Sequence, residues 1–496
     1  MGDSRIRFVM MALPALIAVA LRLYDLAGQP LWLDEVITHN RALLPLPALV
    51  SDSLINKHFP TYFMLARAFD APLIDAWMLR LPSVIFGSLA VLLVTLIAAE
   101  VRSPRAGLAA GLLIAFSPID VQFSQEARPY TFAAVLILLA LYGLVRIVRH
   151  VPDGAGAPAA RKFPAQRTGA AWAVTIAGTL AALYTLVVAA IWWLASNAAI
   201  AVVAARAGAA RGPFLRTWLS TQGLIALIWL PALAVLYSAG DGDPLRGYRW
   251  IPPSTWAHVS AVLSSVYLYR ASNIITFALL PTPVPWLGLI VLALALFGAW
   301  RLRAMPQYLT VIGCALLAMP LAMLIASTVH AVWIPRYLLW STGPLYVLAG
   351  VGMAALPWRS YGPVLAVLLV AGAFNLAPYY GAETKPRWDL AAGYLATHAR
   401  DGDRIVASGY PAKYVLDAYA ARAHLTLPII DGGNVARTTA ALPAGGRTWL
   451  LYGRIGQSAV APEADYLRRW AMLGPPAETI RFGRSVVAWR FGPPAH

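Results

Sequence analysis

Two adjacent carboxylates, Asp34 and Glu35, stand in the stretch LWLDEVITHN, just after the first long apolar run of the chain. A paired acid at such a place either stays solvated or does acid–base work, and the other groups that reach the same place decide which. Further candidates are His58 in NKHFPTYF, Asp120, Glu126 and Arg128 in SPIDVQFSQEARPY, and Arg336 in VWIPRYLLW. Carboxylates and imidazole move protons, and arginines hold anions such as phosphate. Arg128-Pro129 opens a helix, where backbone N–H groups already favour an anion. Each residue also has a plainer reading: a turn histidine, an ion pair from Glu126 to Arg128 or a neighbour, an arginine snorkelling to headgroups.

The elements that carry these residues follow from composition. The chain has 496 residues, 59% hydrophobic and only 12% charged, where a soluble domain carries about 25% charge. It reads as a polytopic α-helical membrane protein. The net charge of +17 does not point to nucleic acid, because the basic residues sit in short clusters between apolar runs, as in cytoplasmic loops. All but four of the 39 basic residues are arginine. Cys314 is the lone cysteine and lies in an apolar run, so no internal disulfide or cysteine-type metal site can form.

A span needs about 20 apolar residues. Eleven are expected, at about 8–27, 77–98, 106–119, 129–148, 169–184, 187–205, 217–237, 284–300, 307–328, 337–356 and 361–378. The first reads as an uncleaved span rather than a signal peptide. Thr168 to Ala205 carries no charge, while Arg161, Lys162 and Arg167 precede it and Arg206, Arg211 and Arg216 follow. Basic residues at both ends make it a hairpin turning near Tyr184. By the same rule Arg5, Arg7, Arg102, Arg105, Arg146, Arg149, Arg301, Arg303 and Arg359 face the cytoplasm. The N-terminus is then cytoplasmic and the C-terminus periplasmic or extracellular. Residues 1–378 form a transmembrane domain with outer loops at 28–76, 120–128 and 238–283. Asp34, Glu35, His58, Asp120, Glu126, Arg128, Asp241, Asp243, Arg246, Arg249, His330 and Arg336 all face outward. The first outer loop has apolar residues at helical spacing before His58-Phe59-Pro60, which predicts short interfacial helices. Trp192, Trp193, Trp333 and Trp340 are expected in interfacial belts, as are Tyr248, Trp250 and Trp256 unless they stack on a sugar.

Residues 379–496 change character. WDLAAGYLATHA, AKYVLDAYAA and ADYLRRWAML read as helices, and DRIVAS, RTWLLYG and SVVAWRF as strands. This alternation predicts a small C-terminal extracytoplasmic α/β domain.

Taken in order, LRLYDLAGQPLWLDEVIT, HFPTYFMLARAF, LRLPSVIFGSLAVLLV, FSQEARPYTFAAVLILLALY, PRYLLW and RWDLAAGYLATHARDGDRIV resemble bacterial membrane glycosyltransferases of the GT-C superfamily. The branch is that of the protein O-mannosyltransferases and the lipid A aminoarabinose transferase. The likeness runs from about residue 20 to 410. The usual His-Pro-Pro reads His58-Phe59-Pro60 here, and the small residue expected after the acidic pair is Val36. The resemblance implies an inverting transfer from a polyprenyl-phosphate-linked sugar donor on the outer face of the cytoplasmic membrane. It implies a catalytic aspartate in the first outer loop, which falls on Asp34, with Glu35 as its neighbour. Arg128 and Arg336 are candidates for the donor phosphate; His58, Asp120, Glu126 and Tyr184 are candidates for substrate-binding or auxiliary roles. Two arginines at the leaving group mean that no cofactor is required, although Asp34, Glu35, Asp120 and His58 are of the type that makes a divalent metal possible. The expected acceptor is a glycan or lipid, with a protein hydroxyl as the alternative. A transporter would instead carry charges inside its spans and related halves, and a noncatalytic assembly subunit would leave Asp34 dispensable.

Overall fold

A backbone crossing hydrocarbon must satisfy its own N–H and C=O groups, so apolar runs of span length fold as helices. The computed structural model describes residues 2–69, 73–151, 165–207, 211–240, 251, 253–440, 447–453 and 463–492. Asp241, Asp243, Arg246, Tyr248, Arg249 and Trp250 lie outside the described residues. In chain order the first helices are α1 (Gly2–Leu23), α2 (Leu33–Ala42), α3 (Leu46–Ile55), α4 (Thr61–Ala66), α5 (Ala76–Val101), α6 (Pro104–Ala115), α7 (Pro118–Ser124) and α8 (Tyr130–Val148). Next come α9 (Ala165–Leu183), α10 (Ala190–Ala205), α11 (Arg211–Ser238), α12 (Trp256–Tyr267), α13 (Leu287–Leu302), α14 (Pro306–Ala326), α15 (Pro335–Leu338), α16 (Thr342–Ala354) and α17 (Trp358–Gly381).

Local chemistry sets several of these ends. The Asp75 carboxylate caps α5 by accepting from the N–H groups of Trp77 at 2.9 Å and Met78 at 3.3 Å. Ser103 caps α6, with Pro104 at its first position. Between α6 and α7 the chain bends by 66°.

Among the described residues, six helical segments are long and apolar enough to cross a membrane: Ala76–Val101, Tyr130–Val148, Val187–Ala205, Arg211–Ser238, Pro306–Ala326 and Trp358–Gly381. The bent α6–α7 pair makes a seventh if it counts as one broken span. The other four expected spans fall on α1, on α9, on α13 and on the α15–α16 segment, which are shorter apolar helices or interrupted ones. The expected hairpin turns at residues 184–186, between α9 and a 3₁₀ turn at Val187–Ala189.

Two expectations need correction. Trp192, Trp333 and Trp340 do not form an interfacial belt: they are buried in the core of the helix bundle, where Trp192 and Trp340 meet edge to face at 6.3 Å. Trp256 is exposed. The interiors of the expected spans are also less free of charge than they read, because Arg22 near the end of α1 and Arg80 in α5 are fully buried.

Beyond α17 follow α18 (Trp388–His398), β1 (Arg404–Ala407), α19 (Tyr410–Ala423), β2 (Ile429–Asp431), α20 (Val435–Ala440), β3 (Thr448–Gly453), α21 (Glu463–Arg468), β4 (Glu478–Phe482) and β5 (Val486–Phe491). The strands form one sheet in the order β2-β1-β3-β5-β4. β2, β1 and β3 are parallel, and β5 runs antiparallel to both β3 and β4. One face of this sheet shares a hydrophobic core with the first outer loop. Leu31, Val36, Leu49 and Tyr62 pack with Trp388, Ile405, Val415 and Trp449 in a single buried cluster. The Tyr419 hydroxyl adds a polar clamp, accepting from the Leu31 N–H at 2.5 Å and donating to the Leu31 carbonyl at 3.2 Å. The C-terminal sheet therefore braces the segment that leads into Asp34.

Candidate active site

Asp34 occupies the first turn of α2, where the helix dipole favours a negative side chain. Its carboxylate accepts from Arg336 Nη1 at 2.8 Å and lies 3.8 Å from Arg128 Nε. The same Arg336 nitrogen donates to the Tyr130 hydroxyl at 2.9 Å, at the start of α8. Arg128 Nη1 reaches the Asp34 carbonyl at 3.2 Å and Thr38 Oγ1 at 3.4 Å. Both guanidinium groups lie over the Tyr130 ring, and Arg336 also lies over Trp32. Burial alone would push the Asp34 carboxyl up; Arg128 and Arg336 outweigh it and hold the group below the usual aspartate value.

Glu35, the next residue, turns the other way and is fully buried. Arg80 grips it with two hydrogen bonds of 2.8 and 2.9 Å. Lys385 Nζ sits 2.8 Å from Glu35 Oε2, and the Ala127 N–H donates to Oε1 at 2.9 Å. Burial opposes ionisation of Glu35, but Arg80 and Lys385 prevail and lower it to about 2. Both Glu35 carboxylate oxygens thus accept from groups of the protein itself. Glu126 completes the group. It pairs with Lys385 at 2.6 Å and accepts from Trp32 Nε1 at 2.7 Å, not from Arg128.

The other expected residues lie further out. His58 shares the electrostatic neighbourhood of Asp34; its Nδ1–H donates to the Asn56 carbonyl at 2.6 Å. Burial, Arg128 and Arg41 push its pKa down to about 4, so it stays neutral at physiological pH. Tyr184 meets the segment that follows His58: Thr61 donates to its carbonyl at 2.6 Å, its hydroxyl donates to the Ile228 carbonyl, and its ring meets Phe59 at 5.3 Å. Asp120 belongs to a separate cluster. It accepts from Ser117 at 2.6 Å and from Thr342 at 2.9 Å, beside Ser124 and Arg22. Among the described residues no three His, Cys, Asp or Glu side chains converge to hold a metal ion.

The sequence reading missed Arg80, Lys385, Thr38, Tyr130 and Trp32 as partners. Two signals were present: Arg80 is a charge in a segment that otherwise reads as a span, and Lys385 is one of four lysines in an arginine-rich chain, just past the last span.

No protein-family model matches the chain, and no curated protein does. Among solved structures it is similar to ArnT from Cupriavidus metallidurans in the apo state, with a TM-score of 0.58 and 14% identity over 99% of this chain and 98% of that one. The same protein bound to undecaprenyl phosphate gives 0.58 and 14%, over 96% and 97% of the two chains. The oligosaccharyltransferase of Archaeoglobus fulgidus gives 0.53 and 13%, over 90% of this chain and 69% of that one. The chain has the fold of both proteins.

Proposed function

We propose that the chain is an inverting glycosyltransferase that moves a sugar from a polyprenyl-phosphate donor to a glycan or lipid acceptor on the outer face of the cytoplasmic membrane. The reading includes eleven spans, a cytoplasmic N-terminus, and a division into a membrane domain, residues 1–378, and an outer domain, 379–496. The observation that carries it is the partly buried carboxylate of Asp34 flanked by Arg336 at 2.8 Å and Arg128 at 3.8 Å. Similarity to a fold seen bound to undecaprenyl phosphate supports the donor class.

The chemistry needs a base at the acceptor hydroxyl and positive charge at the departing phosphate. Asp34, ionised at neutral pH, takes the hydroxyl proton as the oxygen attacks the anomeric carbon. The bond to the phosphate oxygen breaks on the opposite side of the sugar. The polyprenyl phosphate leaves with its new charge held by Arg336 and Arg128. In the free enzyme the Asp34 carboxylate occupies the Arg336 fork that the phosphate needs. Donor binding must therefore compete with that ion pair, and in drawing Arg336 away it raises the basicity of Asp34.

The test is transfer of radiolabelled sugars from polyprenyl phosphates to membrane extract, with the protein in nanodiscs. Wild type is expected to label a product that identifies the acceptor, and a monodisperse Asp34→Asn variant is expected to label none. Full activity in Asp34→Asn would remove Asp34 as the base. No transfer by wild type from any donor would remove the reading itself.

A further inference from the structure

Lys385 lies four residues past the end of α17 and is 3% exposed. Burying an ammonium group costs several kcal/mol unless carboxylates meet it. Two do: Glu126 at 2.6 Å and Glu35 at 2.8 Å. Arg80 is the only other cation bonded to either acid among the described residues. With both carboxylates ionised, one guanidinium and one ammonium leave the quartet with no net charge; without the lysine the ionised group is buried and singly negative.

The chain positions give this quartet a consequence. Glu35 is the residue after Asp34, and Glu126 lies two residues before Arg128. The Ala127 N–H, between Glu126 and Arg128, also donates to Glu35. The quartet thus joins the first turn of α2 to the loop before α8, directly behind the carboxylate and guanidinium that face each other at 3.8 Å. We infer that Lys385 is a positioning residue for the transfer reaction: by holding Glu35 and Glu126 side by side, it fixes Asp34 relative to Arg128. The inference rests on the function proposed above. It does not make Lys385 a phosphate ligand, since its ammonium is spent on the two acids.

The groups facing Glu126 are Glu35 on α2, Tyr62 on α4, Arg80 on α5, Tyr379 on α17, and Lys385, with the Trp32 indole hydrogen-bonded to it. Burial and the Glu35 charge already push Glu126 up to about 7 with the lysine present. In Lys385→Met the cluster is balanced only while Glu126 keeps its proton. As pH rises and Glu126 ionises, two carboxylates share one arginine and the loops separate.

The experiment compares wild type, Lys385→Met, Lys385→Arg and the double variant Lys385→Met/Glu126→Gln, by kcat and by thermal unfolding from pH 6 to 9. Lys385→Met is expected to work at the acidic end and to lose kcat by about tenfold per pH unit once Glu126 ionises. Wild type and the double variant are expected to show no such limb, and Lys385→Arg to keep most activity. Wild-type kcat in Lys385→Met at every pH would overturn the inference. So would an equal loss at every pH that Glu126→Gln does not relieve. If Lys385→Met does not accumulate, the neutral double variant carries the test, and a monodisperse but inactive double variant overturns it. If wild type itself transfers nothing, the unfolding arm still decides: the melting temperature of Lys385→Met should fall with rising pH relative to wild type, and Glu126→Gln should flatten that difference. A flat difference without Glu126→Gln would overturn it.

Discussion

Asp34 is a partly buried carboxylate compensated by two arginines, and its titration should report them. A general base works ionised, so activity falls as pH drops through its pKa. With Arg336 and Arg128 holding that pKa down, the acid limb of kcat/KM in wild type should lie below the usual aspartate range. In Arg336→Gln burial is opposed by one cation fewer, so the limb should move to higher pH. That variant should also lose about 10²–10³-fold in kcat, the usual cost of removing one charge stabiliser. A pH–rate profile of both proteins checks both effects; an unmoved limb would mean that Arg336 does not act on Asp34. At this scale the sequence showed which residue types gather around Asp34. It could not show their pairing. Glu35 is partnered by Arg80, 45 residues away, and by Lys385, 350 residues away, and neither separation leaves a local pattern.

Among the elements, the contact between α13 and α16 is set by two glycines. A Cβ on Gly298 would run into the Leu348 carbonyl oxygen, and one on Gly352 into the Leu294 carbonyl oxygen. Small residues let helix backbones approach this closely within a membrane. Gly352→Leu should therefore push the pair apart and cost about 1–3 kcal/mol, seen as earlier thermal aggregation in detergent. Gly313→Ala in α14, where nothing lies within reach of an added Cβ, should be neutral or slightly stabilising. Equal behaviour of the two variants would contradict the packing described. Helices were the most legible part of the sequence, because hydrocarbon leaves the backbone no other choice. Each expected span meets a helix, yet five are too short or broken to qualify by length. In the C-terminal sheet, β2 and β4 were missed. β2 is three residues after a proline, and β4 is an edge strand alternating exposed and half-buried residues; neither presents a run of buried apolar side chains. The tryptophans were misread for a related reason: sequence shows that a residue lies near a helix end, not which neighbour covers it.

For the molecule as a whole, the proposed sidedness is directly measurable. The single cysteine, Cys314, makes a cysteine-free background one substitution away. In Cys314→Ser, a second change Tyr410→Cys, at an exposed position of α19, should react with a membrane-impermeant maleimide in intact spheroplasts. Arg359→Cys, exposed at the start of α17, should react only after lysis. The opposite pattern would invert the topology and place Asp34 on the cytoplasmic side.

The distance along the chain between the partners of the site also orders events in time. Asp34 meets Arg336 302 residues later, and Glu35 meets Lys385 350 residues later. A growing chain delivers both acids to the membrane long before either cation exists. Until Lys385 emerges, Glu35 and Glu126 share Arg80 alone, and until Arg336 emerges, Asp34 has one guanidinium instead of two. The ribosome thus supplies the last component of the site near the end of synthesis. A product that ends before residue 336 would lack the Asp34–Arg336 pair on which the proposed transfer depends, and one that ends between 336 and 385 would hold that pair with Glu35 and Glu126 left to Arg80 alone.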